Sequence, residues 1–278
     1  MVLFVVFIST LAYIYGKASG GLGFTYAGIA LIIASITSVS SYFFSDKLVL
    51  ATSGAKQIQK NDYPELFRTI ENLAIASGLP MPKIYIMHDP SLNAFATGRD
   101  PKHAVVAVTT GLLQKLTKVE LEGVMAHELS HVKNYDIRLM AVVAILVGFV
   151  AILADIFTRS LWFRDSEDNK AGSVFLLLGI VFAILSPIVA TIIQLAVSRK
   201  REFLADASGA LLTRYPDGLA SALEKIAADA KPLHKATNAT AHLFIANPFK
   251  NKDSKHFFTS LFNTHPPIEE RIKILREM

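Results

Sequence analysis

The sequence predicts a mostly α-helical membrane protein, with up to four transmembrane helices and a metal-binding domain that carries a small β-sheet. Three observations predict it. The 278 residues are 52% hydrophobic with a mean hydropathy of +0.40, more apolar than an ordinary soluble domain. The apolar residues gather in four stretches, two at the start and two in the middle, separated by segments of ordinary globular composition. One globular segment holds His127-Glu128-Leu129-Ser130-His131 inside a run with helical periodicity.

Residues 1–44 make the first hairpin. Met1 to Tyr15 is apolar but shorter than the roughly 20 residues a spanning helix needs. No basic leader or small-residue cleavage site precedes Lys17, so the reading is a short or tilted anchor rather than a signal peptide. Lys17 to Gly23 is a glycine-rich turn, and Phe24 to Phe44 is long enough to cross. Residues 139–197 make the second hairpin, Leu139 to Thr158 and Val174 to Val197, joined by the charged loop Arg159 to Gly172. Pro187 is expected to kink the last span, and Asp155 to reach interfacial water.

Two hairpins return the chain to one face, so residues 45–138 and 198–278, the two parts of the globular domain, share a side. That side carries Lys47, Lys56, Lys60, Lys133, Arg138, Arg199, Lys200 and Arg201, against Lys17, Arg159, Arg164 and Lys170 on the other. The excess places the globular domain in the cytoplasm, on a multi-pass protein of the cell (inner) membrane with the lipid bilayer as a partner. A cytoplasmic Asn238-Ala239-Thr240 is then an inert sequon. The net charge of +5 and pI near 9.3 fit this flanking charge, and no basic run interleaved with aromatics points to nucleic acid.

In the first globular part, Tyr63 to Ser77 reads as a helix stopped by Gly78 and Pro80. Lys83 to Met87, Ser91 to Gly98 and His103 to Thr109 read as short strands, giving a sheet edge along which a peptide can add. Thr117 and Glu120 mark the start of the metal helix. After Ser198 follow a charged helix through Arg214, a helix around Gly218 to Lys231, a loop from Pro232 to Thr264 and a closing helix from Ile268.

The chain has 0 cysteines, which excludes disulfides, thiolate metal sites and a cysteine nucleophile. Any metal must sit on histidine and carboxylate. On a helix, His127 and His131 lie one turn apart on one face and can converge on a tetrahedral zinc, with Glu128 beside them to take a proton from the attacking water. The competing reading of the bare motif is a polar helix face with nothing bound. A catalytic zinc needs a third protein ligand. The position ten residues after His127 is Ile137, so that ligand must come from elsewhere. Glu202 in Arg199-Lys-Arg-Glu-Phe-Leu-Ala-Asp206 is the candidate, with Asp206 one turn on to hold the far nitrogen of a ligand histidine. An exposed helix whose acids pair with Arg199 and Arg201 fits the same spacing. The developing oxyanion needs a donor besides the metal, and His265 in Thr264-His-Pro-Pro-Ile-Glu-Glu-Arg271 is the candidate, with packing or capping as its alternative.

Taken together, these motifs resemble the HtpX-type membrane zinc metalloproteases, relatives of the CAAX prenyl endopeptidases. The resemblance covers nearly the whole chain: the first hairpin, Asn93-Ala-Phe-Ala96, His127 to His131 with Asn134 and Asp136, Arg201 to Asp206, His242-Leu-Phe-Ile-Ala-Asn-Pro248 and His265 to Arg271. It implies a gluzincin-like zinc protease domain with one Zn2+ per chain on His127, His131 and Glu202, and Glu128 catalytic. It also implies that Asn93, His265 and Arg271 face the substrate backbone or the oxyanion. The substrates it suggests are misfolded or damaged membrane proteins cleaved on the cytoplasmic side, a quality-control role of the stress-response kind. A silent adaptor on the same scaffold is expected to lack Glu128 or a ligand, and none is missing. A protease for prenylated C-termini is expected to have more than four spans.

Overall fold

The computed structural model describes residues 2–18, 21–143, 199–229, 231–236, 240–246, 248 and 266–278. Most of the second hairpin, with Asp155 and Pro187, lies outside the described residues, as do His265 and most of the sequon. The described residues fall into two compact units that divide between Phe44 and Ser45.

Helix α1 (Val2–Ala18) and helix α2 (Gly23–Ser53) form the opening of the chain. Within α2, Gly23–Phe44 is 22 residues long and is, among the described residues, the one helical stretch long and apolar enough to cross a membrane. The helix does not stop where the apolar run stops. It continues through Asp46 and Lys47, and Val49 and Leu50 are buried in the second unit.

The second unit is built on a four-stranded mixed sheet in the order β1, β2, β4, β3. Its strands are β1 (Lys56–Gln57), β2 (Lys83–Met87), β3 (Ala94–Thr97) and β4 (Val105–Thr109). β4 runs parallel to β2, pairing Lys83 with Val105 and Met87 with Thr109, while β1 and β3 run antiparallel at the edges. β1 is a departure from the sequence reading, because two exposed polar residues carry no strand periodicity. His103 is a second: it belongs to a 3-10 turn, Pro101–His103, capped by Asp100, and the strand begins at Val105.

Every residue of β4 is buried because both faces of the sheet are covered. Val106 and Val108 face a cluster with Leu66, Ile70 and Leu73 of helix α3 (Pro64–Ser77). Val105 and Ala107 face Val49, Leu50, Leu233 and Phe244. Gly78 ends α3 at φ 73°, a left-handed cap that a β-carbon would strain. Helix α4 (Thr110–Lys115) leads into helix α5 (Lys118–Lys133).

α5 starts with a full capping box: Thr117 Oγ1 accepts the Glu120 amide and Glu120 Oε2 accepts the Thr117 amide at 2.7 Å. It is buried along most of its length, and the chain turns into another helix at residue 136. Helix α6 (Arg199–Thr213), helix α7 (Pro216–Ala228) and helix α8 (Ile268–Arg276) complete the unit. α7 starts and stops a few residues earlier than its apolar spacing predicts, since Pro216 fixes its first turn. α5 packs tightly against both neighbours. A β-carbon on Gly123 would lie 2.7 Å from the Leu219 amide of α7, and one on Gly209 of α6 would lie 3.0 Å from the His127 amide.

Candidate metal centre

The buried helix α5 brings His127, Glu128 and His131 to one place, and α6 lays Glu202 against them. His127 Nε2 and His131 Nε2 are 3.1 Å apart. Glu202 Oε1 is 3.5 Å from His131 Nε2, and Glu202 Oε2 is 3.8 Å from His127 Nε2. A tetrahedral cation with ligand bonds of about 2.1 Å has ligand-to-ligand edges of about 3.4 Å, so these three donors fit one. The same three residues form a candidate cation-binding group among the described residues.

The far side of each imidazole is committed. His127 Nδ1 faces Asp206 Oδ1 at 2.9 Å, and His131 Nδ1 faces Asp136 Oδ2 at 3.0 Å. Carboxylates at both Nδ1 atoms favour the tautomer that leaves each Nε2 a lone pair, which suits both rings as ligands of one cation. Charge balance agrees. The buried carboxyl groups of Glu128, Asp136, Glu202 and Asp206 outnumber the guanidiniums of Arg201 and Arg271 beside them, and a cation offsets the difference.

Each aspartate is in turn held by an arginine. Arg271 of α8 is fully buried and grips Asp206 with two parallel bonds, Nε to Oδ2 at 2.8 Å and Nη2 to Oδ1 at 2.7 Å. Its Nη1 donates to the Ile245 carbonyl at 3.2 Å and lies 3.5 Å from Glu202. On the other side Arg201 pairs with Asp136 Oδ1. Asp136 reaches back to His131 across a sharp turn in which Tyr135 adopts φ 60°, a left-handed conformation rare for a bulky residue. Helical spacing rules stop at the end of α5, so neither this contact nor Arg201's part in it was visible from periodicity. Asp136 stands in the motif His131, Asn134, Asp136, which was the available signal.

Protonation follows the burial. Burial pushes the Glu128 carboxyl up to about 7, with the Glu202 charge adding to it and His131 and the Ala96 amide opposing. Burial also works upward on Asp206, yet the Arg271 charge and hydrogen bonds outweigh it and bring its carboxyl down to about 2. Burial holds the His127 imidazole below its ordinary value, against the pull of Asp206. For His131 the same burial is outweighed by the Asp136 hydrogen bond and the Glu202 and Glu128 charges, and its pKa is raised.

β3 borders this centre, since the Ala96 amide donates to Glu128. The outer edge of β3 is not open at its start. The Ile245 amide donates to the Ala94 carbonyl at 3.0 Å, so the chain itself occupies a place the sequence leaves to a peptide. Asn93 is buried beside it, its Nδ2 donating to the Ala246 carbonyl at 3.2 Å and its Oδ1 accepting the Ala94 amide. Asn93 and Arg271, expected toward the substrate, therefore both hold segment 245–246.

Residues 60–278 match the profile of Peptidase family M48. The chain belongs to this family. Relatives include the Protease HtpX homolog of Tropheryma whipplei (strain Twist), 52% identical over 259 residues, which span 92% of this chain and 87% of that protein. The Protease HtpX homolog of Dictyoglomus turgidum is 49% identical over 250 residues, 90% of this chain and 81% of the relative. Among solved structures, S. mikatae Ste24p shares the fold at a TM-score of 0.53 and 20% identity, over 96% of this chain and 62% of that longer one. As an M48 member the protein is a metalloprotease, and the buried group of His127, His131 and Glu202 fits the metal that the family requires.

Proposed function

We propose that this M48 metalloprotease is a zinc endopeptidase of the cell membrane that cuts misfolded or damaged membrane proteins on the cytoplasmic side. In this reading one Zn2+ sits on His127, His131 and Glu202, with Asp206 orienting His127. The supporting observation is the convergence of His127 Nε2, His131 Nε2 and the Glu202 carboxylate beside a buried Glu128. Zinc is the first-row ion that two imidazoles and a carboxylate in a tetrahedral set favour.

The bound cation supplies Lewis acidity to the scissile carbonyl and lowers the pKa of the attacking water. Glu128 takes the proton of that water and returns it to the leaving amine. In the metal-free centre burial raises this carboxyl to about 7, and a bound cation would bring it down toward the range of a base near neutral pH. The Ala96 amide fixes the carboxylate and ties the base to β3. His265 is assigned to the oxyanion. Asn93 and Arg271 are assigned to the substrate side through segment 245–246, which both hold. The 22-residue apolar stretch of α2 supports membrane residence, and the lysine and arginine distribution supports a cytoplasmic protease domain.

Glu128→Gln tests the reading. The variant should keep its zinc and lose cleavage of an unfolded membrane protein in detergent, because Glu128 acts on water and is not a ligand. Loss of zinc in step with activity would assign Glu128 to the ligand set instead. Cleavage of a prenylated peptide by the parent protein in place of the unfolded substrate would replace the substrate class.

A further inference from the structure

Asp136 and Arg201 border the second hydrophobic hairpin of the sequence, residues 139–197. Asp136 opens the helix that leads into it, and Arg201 lies in the first turn of α6, which follows it. They are 65 residues apart in the chain and ion-paired in space. The other oxygen of Asp136 holds His131 Nδ1 at 3.0 Å, and the residue after Arg201 is Glu202. One short cluster thus joins the segment leaving the protease unit, the segment returning to it, and two of the three candidate metal ligands.

We propose that Asp136 and Arg201 are positioning residues: they clasp the borders of the hydrophobic stretch together and thereby set the His131 ring and the start of α6 for the metal. The inference rests on the ligand set proposed above. Asp136 is buried with both oxygens engaged, so its carboxylate has no freedom to turn. The left-handed Tyr135 holds it there at φ 60°. The second nitrogen of a metal-bound histidine, held by a carboxylate, fixes both the ring direction and its basicity. Arg201 keeps 37% of its side chain exposed, against 3% for Asp136. Water reaches the arginine end of the pair and can take the place of the guanidinium there, which limits what the pair contributes to holding the fold together. Its effect should therefore appear in metal affinity rather than in melting.

The test uses the full chain in detergent, Zn2+ alone as the probe, and competition with a chelator. Arg201→Gln and Asp136→Asn should each weaken Zn2+ binding by about 10- to 100-fold. The double variant should be no weaker than the worse single one, because the two act as a unit. Arg201→Lys should recover part of the loss. The metal-free protein should melt as the parent does in the Arg201 variants. Lys225→Gln breaks the pair between Lys225 of α7 and Glu120 at the start of α5 and should leave Zn2+ affinity unchanged. Parent-like Zn2+ affinity in Arg201→Gln, or additive losses in the double variant, overturns the clasp. So does a drop in melting of the metal-free protein with affinity intact, which marks a merely structural pair. His131→Ala separates the two levels. If it loses Zn2+ while Arg201→Gln does not, the clasp alone is wrong; if it binds like the parent, the ligand set beneath the clasp is wrong.

Discussion

The two candidate metal histidines are supported by the same device in two different settings. His127 leans on Asp206 and Arg271, a pair with 2% and 0% of its side chains exposed, whereas His131 leans on Asp136 and an Arg201 that reaches water. In the first, the guanidinium is sealed in by α8 and segment 245–246, and no solvent can replace a lost partner. In the second, water can. The chemistry of orientation is shared, while the contribution to folding differs, because an unpaired buried charge costs several times what an unpaired surface charge does.

The largest expected effect breaks the buried side. Arg271→Ala strands Asp206 without its partner and should cost about 3–5 kcal/mol, read as a shift in denaturant midpoint of the metal-free protein. A loss under about 1 kcal/mol would mean that water reaches Asp206 and that the two supports are alike. Next comes acid. The Asp206 carboxyl stands at about 2 in the folded chain against an ordinary 3.8. The unfolded chain therefore takes up the proton first, and the contribution is full above about pH 4 and lost as pH falls through about 2. It amounts to about 2 kcal/mol. Metal-free Asp206→Asn should flatten that part of the acid-unfolding curve.

A smaller effect concerns the approach of the helices that carry both supports. Gly209→Ala puts a methyl 3.0 Å from the His127 amide and 3.3 Å from the Ala126 carbonyl carbon, backbone atoms that cannot swing aside. About 1–3 kcal/mol of stability should go, with weaker zinc retention as α6 moves off α5. Unchanged melting would show that the two helices have room to separate. Smallest is Arg201→Gln, whose stability should fall by less than about 1 kcal/mol. A larger fall would erase the contrast between the two sides.

The sequence was legible where the physics is local. The capping box at Thr117 and Glu120, the one-turn spacing of His127 and His131, and that of Glu202 and Asp206 all follow from helix geometry, and each appears where that geometry puts it. Less legible was whatever depends on chain returning from afar. Nothing in the spacing of Arg271 says that it would be buried against Asp206. Nor does the run Tyr135-Asp136 announce a left-handed residue. The end of α2 misled in the opposite way: its apolar run stops at Phe44, but the helix continues because Val49 and Leu50 find a sheet face to cover.

That α6 and α8 lie far downstream of α5 has a consequence for synthesis. His127 and His131 leave the ribosome well before Glu202, Asp206 and Arg271, by an interval on the order of ten seconds at ordinary elongation rates. Throughout that interval the nascent chain has two imidazoles and a base but neither the third ligand nor the arginine that seals the centre. A metalloprotease centre completed this late stays idle while its own chain is still unfolded. Placing the completing residues behind the hydrophobic stretch makes translation itself the timer that withholds competence until the rest of the protein exists.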